Sequence, residues 1–305
     1  MFSLFDCHCD TITTALEKGQ ELYKNNLHLS LCELEKLDRS GQVFAVWLDD
    51  KYLDNAFKNT IRTLDFFEGQ LEKNKDLVQK VLKPEDFDKK HISALLSVEG
   101  GEVIEDKLEN IDYLYERGIR LFTLTWNREN LLGYGAVTEI DKPLKPFGVK
   151  ALARLEEKKI IADVSHLNDA GFESVCQNAT RPFIASHSNA YSLCSHCRNL
   201  KDWQLKAIGE TGSMVGINMF PDFLSREDRA TTYDILRHTE YIGNIIGEDS
   251  LCLGCDFDGI DKTPEGIANV SELSTLYAAF ESSFGKISAD KIFFGNLQNF
   301  MVKML

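Results

Sequence analysis

The chain has too little positive charge for a nucleic-acid partner. Thirty-four Lys and Arg stand against 48 Asp and Glu, which gives a formal net charge of −14 at pH 7 over 305 residues. Phosphate backbones and anionic membrane surfaces attract basic patches and repel an acidic surface. The balance therefore argues against both partners and favours a small molecule.

Long apolar runs are missing as well. Nowhere do about 18 uncharged apolar residues follow one another, which is the length that a membrane-spanning helix needs. The N-terminus has no basic stretch ahead of an apolar segment, as a secretory signal would. We therefore expect a cytoplasmic protein with no membrane contact.

No export signal accompanies the eight cysteines, so we expect reduced thiols rather than a disulfide framework. Two Cys-x-x-Cys spacings, Cys194/Cys197 and Cys252/Cys255, suggest a structural zinc site of four thiolates. The second pair lies in a strand-like run, where residues three apart face opposite sides. This geometry disfavours the four-thiolate site.

Linkers, low-complexity tracts and short repeats are also absent, and the composition of 43% apolar and 27% charged residues is that of a globular chain. An apolar run followed by a helical stretch recurs eight times, at spacings typical of βα units. The runs are nearly continuous in apolar character, as in parallel strands that are covered on both faces. The strand candidates are SLFDCHC, VFAVWL, ISALLSVE, IRLFTLTW, IIADVSH, PFIASHS, MVGINMF and LCLGCDF.

The pattern of elements predicts a closed barrel. Helices are predicted over residues 53–81, 106–117, 147–158, 168–179, 201–211, 230–247 and 272–284. Parallel strands need crossover connections, and eight of them close a sheet. The first turn, DCHCDT, is not the glycine-rich loop of a doubly wound nucleotide-binding fold. The sequence therefore predicts an α/β fold, a (β/α)8 TIM barrel, with residues 1–305 as a single domain.

In such a barrel, the chemistry gathers at the C-terminal ends of the strands. Alternation along the first strand puts His8 and Asp10 on one face, with Cys7 and Cys9 on the other. Each strand-end residue taken alone has a plain structural explanation, as a helix cap or a hydrogen-bonded histidine. Six at one rim favour a metal site instead. They are His8, Asp10, Glu99, His166, His187 and Asp256.

The mixture of imidazole and carboxylate suits zinc or a similar first-row ion. Three His, one Asp and one Glu are too many for one catalytic zinc, which keeps three protein ligands and an open position. Two ions that share a bridging carboxylate and a bridging water would use all five. Because such a pair activates water for attack, the sequence predicts a hydrolase with two Zn²⁺ ions.

The motifs HCD, SVEGG, TLTWN, DVSH, SHSNA, CRNL and GCDFDG…PEG span essentially the whole chain. In this order they resemble the membrane dipeptidase, or renal dipeptidase, family of metallopeptidases, peptidase family M19, within the amidohydrolase-like barrels. The resemblance implies His8 and Asp10 on one zinc ion, His166 and His187 on the other, and Glu99 bridging both. It also implies a dipeptide substrate with a free C-terminal carboxylate, and tolerance of a D residue at its second position.

The resemblance assigns further roles around the metals. Arg198 of CRNL would grip the substrate's carboxylate, as a bidentate guanidinium can. Asp256 would pass a proton from the bridging water to the departing amine. Trp126 and Asn127 are assigned to the substrate pocket.

Three positions depart from the family pattern. Trp126 stands where many members have a histidine after TLT, and an indole donates one N–H but cannot carry a proton to and fro. Phe220 stands where relatives often have a tyrosine, and Asn299 where they often have an arginine. We still expect a dipeptidase, but its rate and its preferred substrate do not follow from the sequence.

Two other functions stay open at this point. The same metals could serve hydrolysis of another amide or a lactone, with Trp126 reshaping the pocket. A barrel that binds metal without catalysis is the other alternative, and the intact ligand set argues against it. A homodimer is left open too.

Overall fold

Eight parallel strands close into a barrel. The computed structural model describes residues 2–227 and 229–305. Neighbouring strands pair in the order β2-β1-β9-β8-β7-β6-β5-β4, and a pairing of β2 with β4 closes the ring. The predicted (β/α)8 barrel is therefore confirmed. The strands are β1 Leu4–Cys9, β2 Ser40–Trp47, β3 Val78–Lys80, β4 Ile92–Glu99, β5 Ile119–Thr123, β6 Ile161–Asp163, β7 Ile184–Ala185, β8 Met214–Ile217 and β9 Leu251–Leu253.

Helices follow the strands and surround the barrel, and shorter helical turns join some of them. The α-helices are α1 Thr11–Lys18, α2 Leu31–Leu34, α3 Ala56–Lys73, α4 Glu109–Glu116, α5 Pro146–Glu157, α6 Asp169–Asn178, α7 Asp202–Thr211, α8 Pro221–Leu224, α9 Thr232–Ile246, α10 Leu273–Phe284, α11 Lys286–Asp290 and α12 Asn296–Met304. The 3₁₀ turns are Asp50–Asn55, Pro84–Asp86, Gly101–Ile104, Glu248–Ser250 and Val270–Glu272, and a π-helical turn spans Lys291–Gly295. None of the helices in the described ranges is long and apolar enough to cross a membrane.

The helix predicted over residues 53–81 is wrong at both ends. Its start is a 3₁₀ turn, and its last residues form the short strand β3, which pairs with the beginning of β4 from Val78 opposite Ile92. The pairing of β4 with β5 begins only at Leu96. Because the first residues of β4 need hydrogen-bond partners on that side, β3 supplies them, and tertiary pairing overrides the helical periodicity.

The core has two layers, one inside the barrel and one between the strands and the helices. Phe5 and Cys7 of β1 lie in the inner layer, with Leu297 and Met301 of α12 packed against the same cluster. Helix α12 thus closes the N-terminal end of the barrel. The C-terminal mouth is left for the functional groups.

The prediction that Cys7 and Cys9 share a face is wrong. Cys9 packs in the outer layer, whereas Cys7 lies inside the barrel. The register between β1 and β2 shifts between Asp6 and Cys9, which interrupts the simple alternation of side chains. With Phe5 and Cys7 inside the barrel, strict alternation would turn His8 outward. The irregularity after Asp6 instead brings its imidazole to Glu99 at the mouth.

Two glycines let the backbone before His187 approach its neighbours closely. A Cβ on Gly216 of β8, or on Gly254 after β9, would lie 1.9 Å from the carbonyl oxygen of Ser186. No side chain fits at that distance, so only glycine permits this packing. The position of His187 therefore depends on both glycines.

Replacing Gly216 by alanine should destabilise the protein. We expect a loss of about 1–3 kcal/mol or more in the free energy of unfolding, because the new methyl group meets backbone that cannot yield. Gly69, in α3, is the matched control, since a Cβ there meets no atom within 4 Å. Gly69→Ala should stabilise the helix by about 0.5–1 kcal/mol. Urea unfolding of both variants checks this, and equal midpoints would contradict it.

Candidate metal centre

Six strand-end side chains meet at the mouth of the barrel. His8 is in β1, Asp10 directly follows it, and Glu99 is the last residue of β4. His166, His187 and Asp256 come two or three residues after β6, β7 and β9. All six are at most 8% exposed. The ends of five different strands therefore deliver one buried cluster.

Glu99 lies between two groups of ligand atoms. Its Oε2 is 3.5 Å from His8 Nε2, while its Oε1 is 2.7 Å from His166 Nε2 and 3.5 Å from His187 Nε2. On the first side, His8 Nε2 is also 3.6 Å from Asp10 Oδ2. The two oxygens of one carboxylate thus face two different sets of donors, which is the geometry of a bridging ligand.

The spacing and the missing partners of these atoms fit divalent cations. Ligands about 2.0–2.1 Å from a tetrahedral zinc ion lie about 3.3–3.4 Å from one another. The distances from Glu99 to His8 and to His187, both 3.5 Å, are near that value, whereas His166 at 2.7 Å contacts Glu99 directly. His8 Nε2 and Asp10 Oδ1 are buried and have no hydrogen-bond partner among the described residues. Leaving such an atom unpaired costs about 1–3 kcal/mol. A cation held by His8 and Asp10 would remove that cost.

Asn127 holds His166 in the orientation that a metal ligand would need. Its Oδ1 lies 2.9 Å from His166 Nδ1. Because an amide oxygen only accepts, the imidazole proton belongs on Nδ1, and the lone pair of Nε2 faces Glu99. Asn127 also lines the cavity at the mouth. The sequence assigns this residue only to the substrate pocket, so the contact with His166 was missed.

A buried chain of hydrogen bonds fixes the orientation of the His187 ring. His187 Nδ1 lies 2.7 Å from Ser186 Oγ, and that hydroxyl donates to Asp163 Oδ2 at 2.6 Å. Asp163 is itself fixed by hydroxyl donors from Thr123 at 2.6 Å and Ser165 at 2.7 Å. A role for these residues was not predicted from the sequence. Their position inside the DVSH and SHSNA motifs, where Asp163 and Ser186 lie, was the signal that could have found them.

Asp256 sits in a strained backbone conformation beside His8. Its φ is +60°, in the left-handed region that non-glycine residues rarely adopt. Asn218 donates to its Oδ2 at 3.0 Å, while its Oδ1 is 3.8 Å from His8 Nε2. Burial raises the pKa of Asp256 to about 8, helped by Asp10 and Glu99 and opposed by His8. Asn218 was not predicted from the sequence.

Burial and neighbouring charges also set the state of the other ligands. Burial, followed by Arg198, lowers the pKa of His166 to about 4, so this imidazole is neutral at pH 7. Burial raises the pKa of Asp10 to about 6, with Glu99 adding to the shift. The pKa of Glu99 lies well below its usual range because His8 and His166 outweigh its burial. Neutral imidazole and ionised carboxylate are the forms that bind metal. His8 differs from His166, because Glu99 and Asp10 outweigh its burial and raise its pKa well above the ordinary value.

Arg198 is a buried cation without a partner. It is 4% exposed, and its Nε, Nη1 and Nη2 find no hydrogen-bond acceptor among the described residues. Its guanidinium lies 5.5 Å from the centre of the Phe223 ring. Burial lowers its pKa to about 10, so it stays charged at pH 7. A buried, unpaired guanidinium facing a cavity fits a carboxylate ligand.

One cavity of about 500 Å³ connects these groups. Trp126 and Phe220, two of the three departures, lie in its wall beside Arg198 and Asp256. Asn299, the third, is an exposed residue of α12 at the opposite end of the barrel. The Asn299 departure therefore does not touch the site, whereas the other two change its surface.

Comparisons with known proteins found a matching family model and similar chains. The family model described as membrane dipeptidase, peptidase family M19, matches residues 1–303. An uncharacterized protein in the pqqA 5′ region of Klebsiella pneumoniae is 32% identical over 218 residues, which is 68% of this chain and 80% of that protein. An uncharacterized dipeptidase of Schizosaccharomyces pombe is 31% identical, and the match covers 61% of this chain but only 46% of the yeast protein.

A solved structure with the same fold carries a ligand. It is a metallopeptidase of Rhodobacter sphaeroides liganded with a phosphinate mimic of the dipeptide L-Ala-D-Ala. The two chains superpose with a TM-score of 0.93 over 100% of this chain and 99% of that one, at 23% sequence identity. At this identity the likeness establishes the fold alone.

Removing the acceptor from Asn127 should weaken metal binding. Asn127→Leu keeps the size of the side chain but frees His166 Nδ1, and we expect the affinity for Zn²⁺ to fall about 10–100-fold. Asn127→Asp, which keeps an oxygen acceptor, is the control and should bind metal nearly as tightly as the native chain. Competition with a chromophoric chelator measures both. A leucine variant with native affinity would contradict the role.

Proposed function

The chain belongs to the membrane dipeptidase family, peptidase family M19, and on that premise we propose that it is a binuclear zinc dipeptidase. It hydrolyses dipeptides that have a free C-terminal carboxylate and tolerates a D residue at the second position. The observation that carries the proposal is the pairing of two features in one cavity. Glu99 turns its two oxygens to two donor sets, and the unpaired Arg198 guanidinium lies in the same cavity wall.

The ligand assignment is the one that the family resemblance implies, and the distances around Glu99 support it. His8 and Asp10 would hold one ion, His166 and His187 the other, and Glu99 both. When bound, such a pair of ions makes a hydroxide available near neutral pH and polarises a carbonyl oxygen.

The protein's own groups would orient the substrate and move its proton. Arg198 binds the terminal carboxylate through its paired N–H groups. Asp256 has its Oδ2 held by Asn218 and its Oδ1 turned toward the ligand cluster. Bound cations would offset the charges of Asp10 and Glu99, which help to raise its pKa, and would so favour its ionised form. In that form Asp256 accepts the proton of the attacking water and delivers it to the departing amine. Trp126 excludes water from the cavity, and its indole N–H is able to donate but not to shuttle a proton.

The substrate class is supported by the charge on the cavity wall and by a structural relative. Arg198 is a cation on one side, while Glu17, Asp258 and Asp261 line another part of the cavity. A dipeptide zwitterion matches this distribution. The similar metallopeptidase of Rhodobacter sphaeroides holds a mimic of L-Ala-D-Ala, and we extend that stereochemistry to this chain.

The zinc-loaded protein should cleave L-Ala-D-Ala and spare the same dipeptide with an amidated C-terminus, because the amide cannot pair with Arg198. Hydrolysis of L-Ala-D-Ala, L-Ala-L-Ala and both amides, followed by amine release, measures this preference. Equal turnover of free and amidated substrates would favour a metal amidohydrolase that acts on another amide or a lactone. A zinc-replete protein inert on the whole panel would overturn the enzymatic proposal and leave a binding barrel.

Arg198→Met keeps the apolar stem and removes the charge. Truncation of one partner of a buried, hydrogen-bonded charge pair costs about 2–5 kcal/mol of binding free energy. We therefore expect kcat/KM for L-Ala-D-Ala to fall roughly 30-fold or more. The variant should also lose its preference for the free acid over the amide. Arg198→Lys, which retains a charge, should keep part of that preference. A methionine variant that still discriminates would argue against carboxylate binding by Arg198.

A further inference from the structure

A second cavity lies directly beside the one that holds the metal ligands. The first, of about 500 Å³, is called here the substrate cavity, and its neighbour, of about 350 Å³, the side cavity. Thr13, Glu17 and Trp47 line both. The rest of the side cavity is formed by residues of α1, α3 and the turn between β2 and α3, including Leu16, Leu48, Tyr52, Asn59, Arg62 and Thr63. Trp47 is the largest of the three shared side chains.

Trp47 is a fixed wall rather than a mobile flap. Its backbone N–H donates to Thr13 Oγ1 at 3.2 Å. Its ring packs edge-on against Trp126 at a centroid distance of 5.2 Å, and the guanidinium of Arg128 lies 4.6 Å from the centre of Trp126. Arg128 is in turn paired with Asp50 at 2.6 Å. The backbone of Trp47 is therefore anchored to Thr13, and its ring packs on Trp126, which Arg128 contacts in turn.

The topology puts Trp47 on the far side of the mouth from Arg198. Trp47 ends β2, and Arg198 follows β7 in the chain. Around the closed ring, β2 and β7 are separated by four steps in either direction. A dipeptide whose carboxylate is bound by Arg198 therefore runs across the ligand cluster with its N-terminal residue toward Trp47. This step rests on the dipeptidase function proposed above.

We infer that Trp47 limits the size of the side chain at the N-terminal residue of the substrate. The side cavity is then an extension of that subsite, and the indole of Trp47 separates it from the substrate cavity. The native enzyme prefers a small side chain there, such as alanine. The lining of the side cavity is mixed: Lys51 and Arg62 bring charge, while Leu16, Leu48 and Tyr52 form an apolar part. An aromatic or long aliphatic side chain would pack against that apolar part. Removal of the indole joins the two cavities and admits such a group.

Trp47→Ala tests this inference through a ratio of two substrates. For the zinc-loaded protein, kcat/KM is measured on L-Ala-D-Ala and on L-Phe-D-Ala. The ratio of the second value to the first should rise about tenfold or more in the variant, since removal of a pocket wall changes discrimination by at least that much. Because both substrates are tested on one sample, the ratio does not depend on the fraction of folded protein.

Trp203→Ala is the matched control. Trp203 lies on α7, packs edge-on against Phe172 at 5.5 Å and lines neither cavity. The same chemical change there should leave the ratio at its native value. Trp47→Leu removes less volume and disturbs the packing less, so it serves if Trp47→Ala does not fold. It should give an intermediate ratio.

The possible failures are distinguishable. A native ratio in folded, zinc-replete Trp47→Ala or Trp47→Leu overturns the inference, as does a native enzyme that already favours L-Phe-D-Ala. A native protein inert on both substrates overturns the proposed function instead. A raised ratio in both variants, with Trp203→Ala unchanged, supports the inference.

Discussion

Buried carboxylates and imidazoles with too few partners are the constraint on which the mouth of this barrel depends. Glu99, Asp10 and Asp256 crowd around His8 at distances of 3.5–3.8 Å. Burying an uncompensated charge costs several kcal/mol, against a total stability of about 5–15 kcal/mol for a typical protein. Hydrogen bonds satisfy the atoms that face away from the cavity, and the cations of the proposed function would satisfy those that face it.

The layer behind the ligands is as specific as the ligands themselves. Asp163 and Ser186 fix the proton of His187, and Asn127 fixes that of His166. The backbone at Ser186 packs so closely on its neighbours that Gly216 admits no side chain. A site held in this way needs little rearrangement when substrate binds, which is the condition for effective electrostatic stabilisation of a reaction.

The barrel and the cluster of strand-end side chains at its mouth were predictable because a few physical rules determine them. Apolar runs identify the strands, and a closed parallel barrel obliges their C-terminal ends to meet at one rim. What escaped prediction depends on contacts between distant parts of the chain. Val78–Lys80 is a strand only because β4 needs a partner, and Cys7 and Cys9 separate because of an irregular register with β2. The contact of Asn127 with His166 and the wall made by Trp47 likewise need coordinates.

Anomalous diffraction at the zinc absorption edge, from crystals of the zinc-loaded protein, tests the central claim most directly. The account predicts two peaks, one on either side of the Glu99 carboxylate, each about 2.0–2.2 Å from its ligand atoms. One peak should have His8 and Asp10 as neighbours, and the other His166 and His187. A single peak, or two peaks that do not share Glu99, would contradict it.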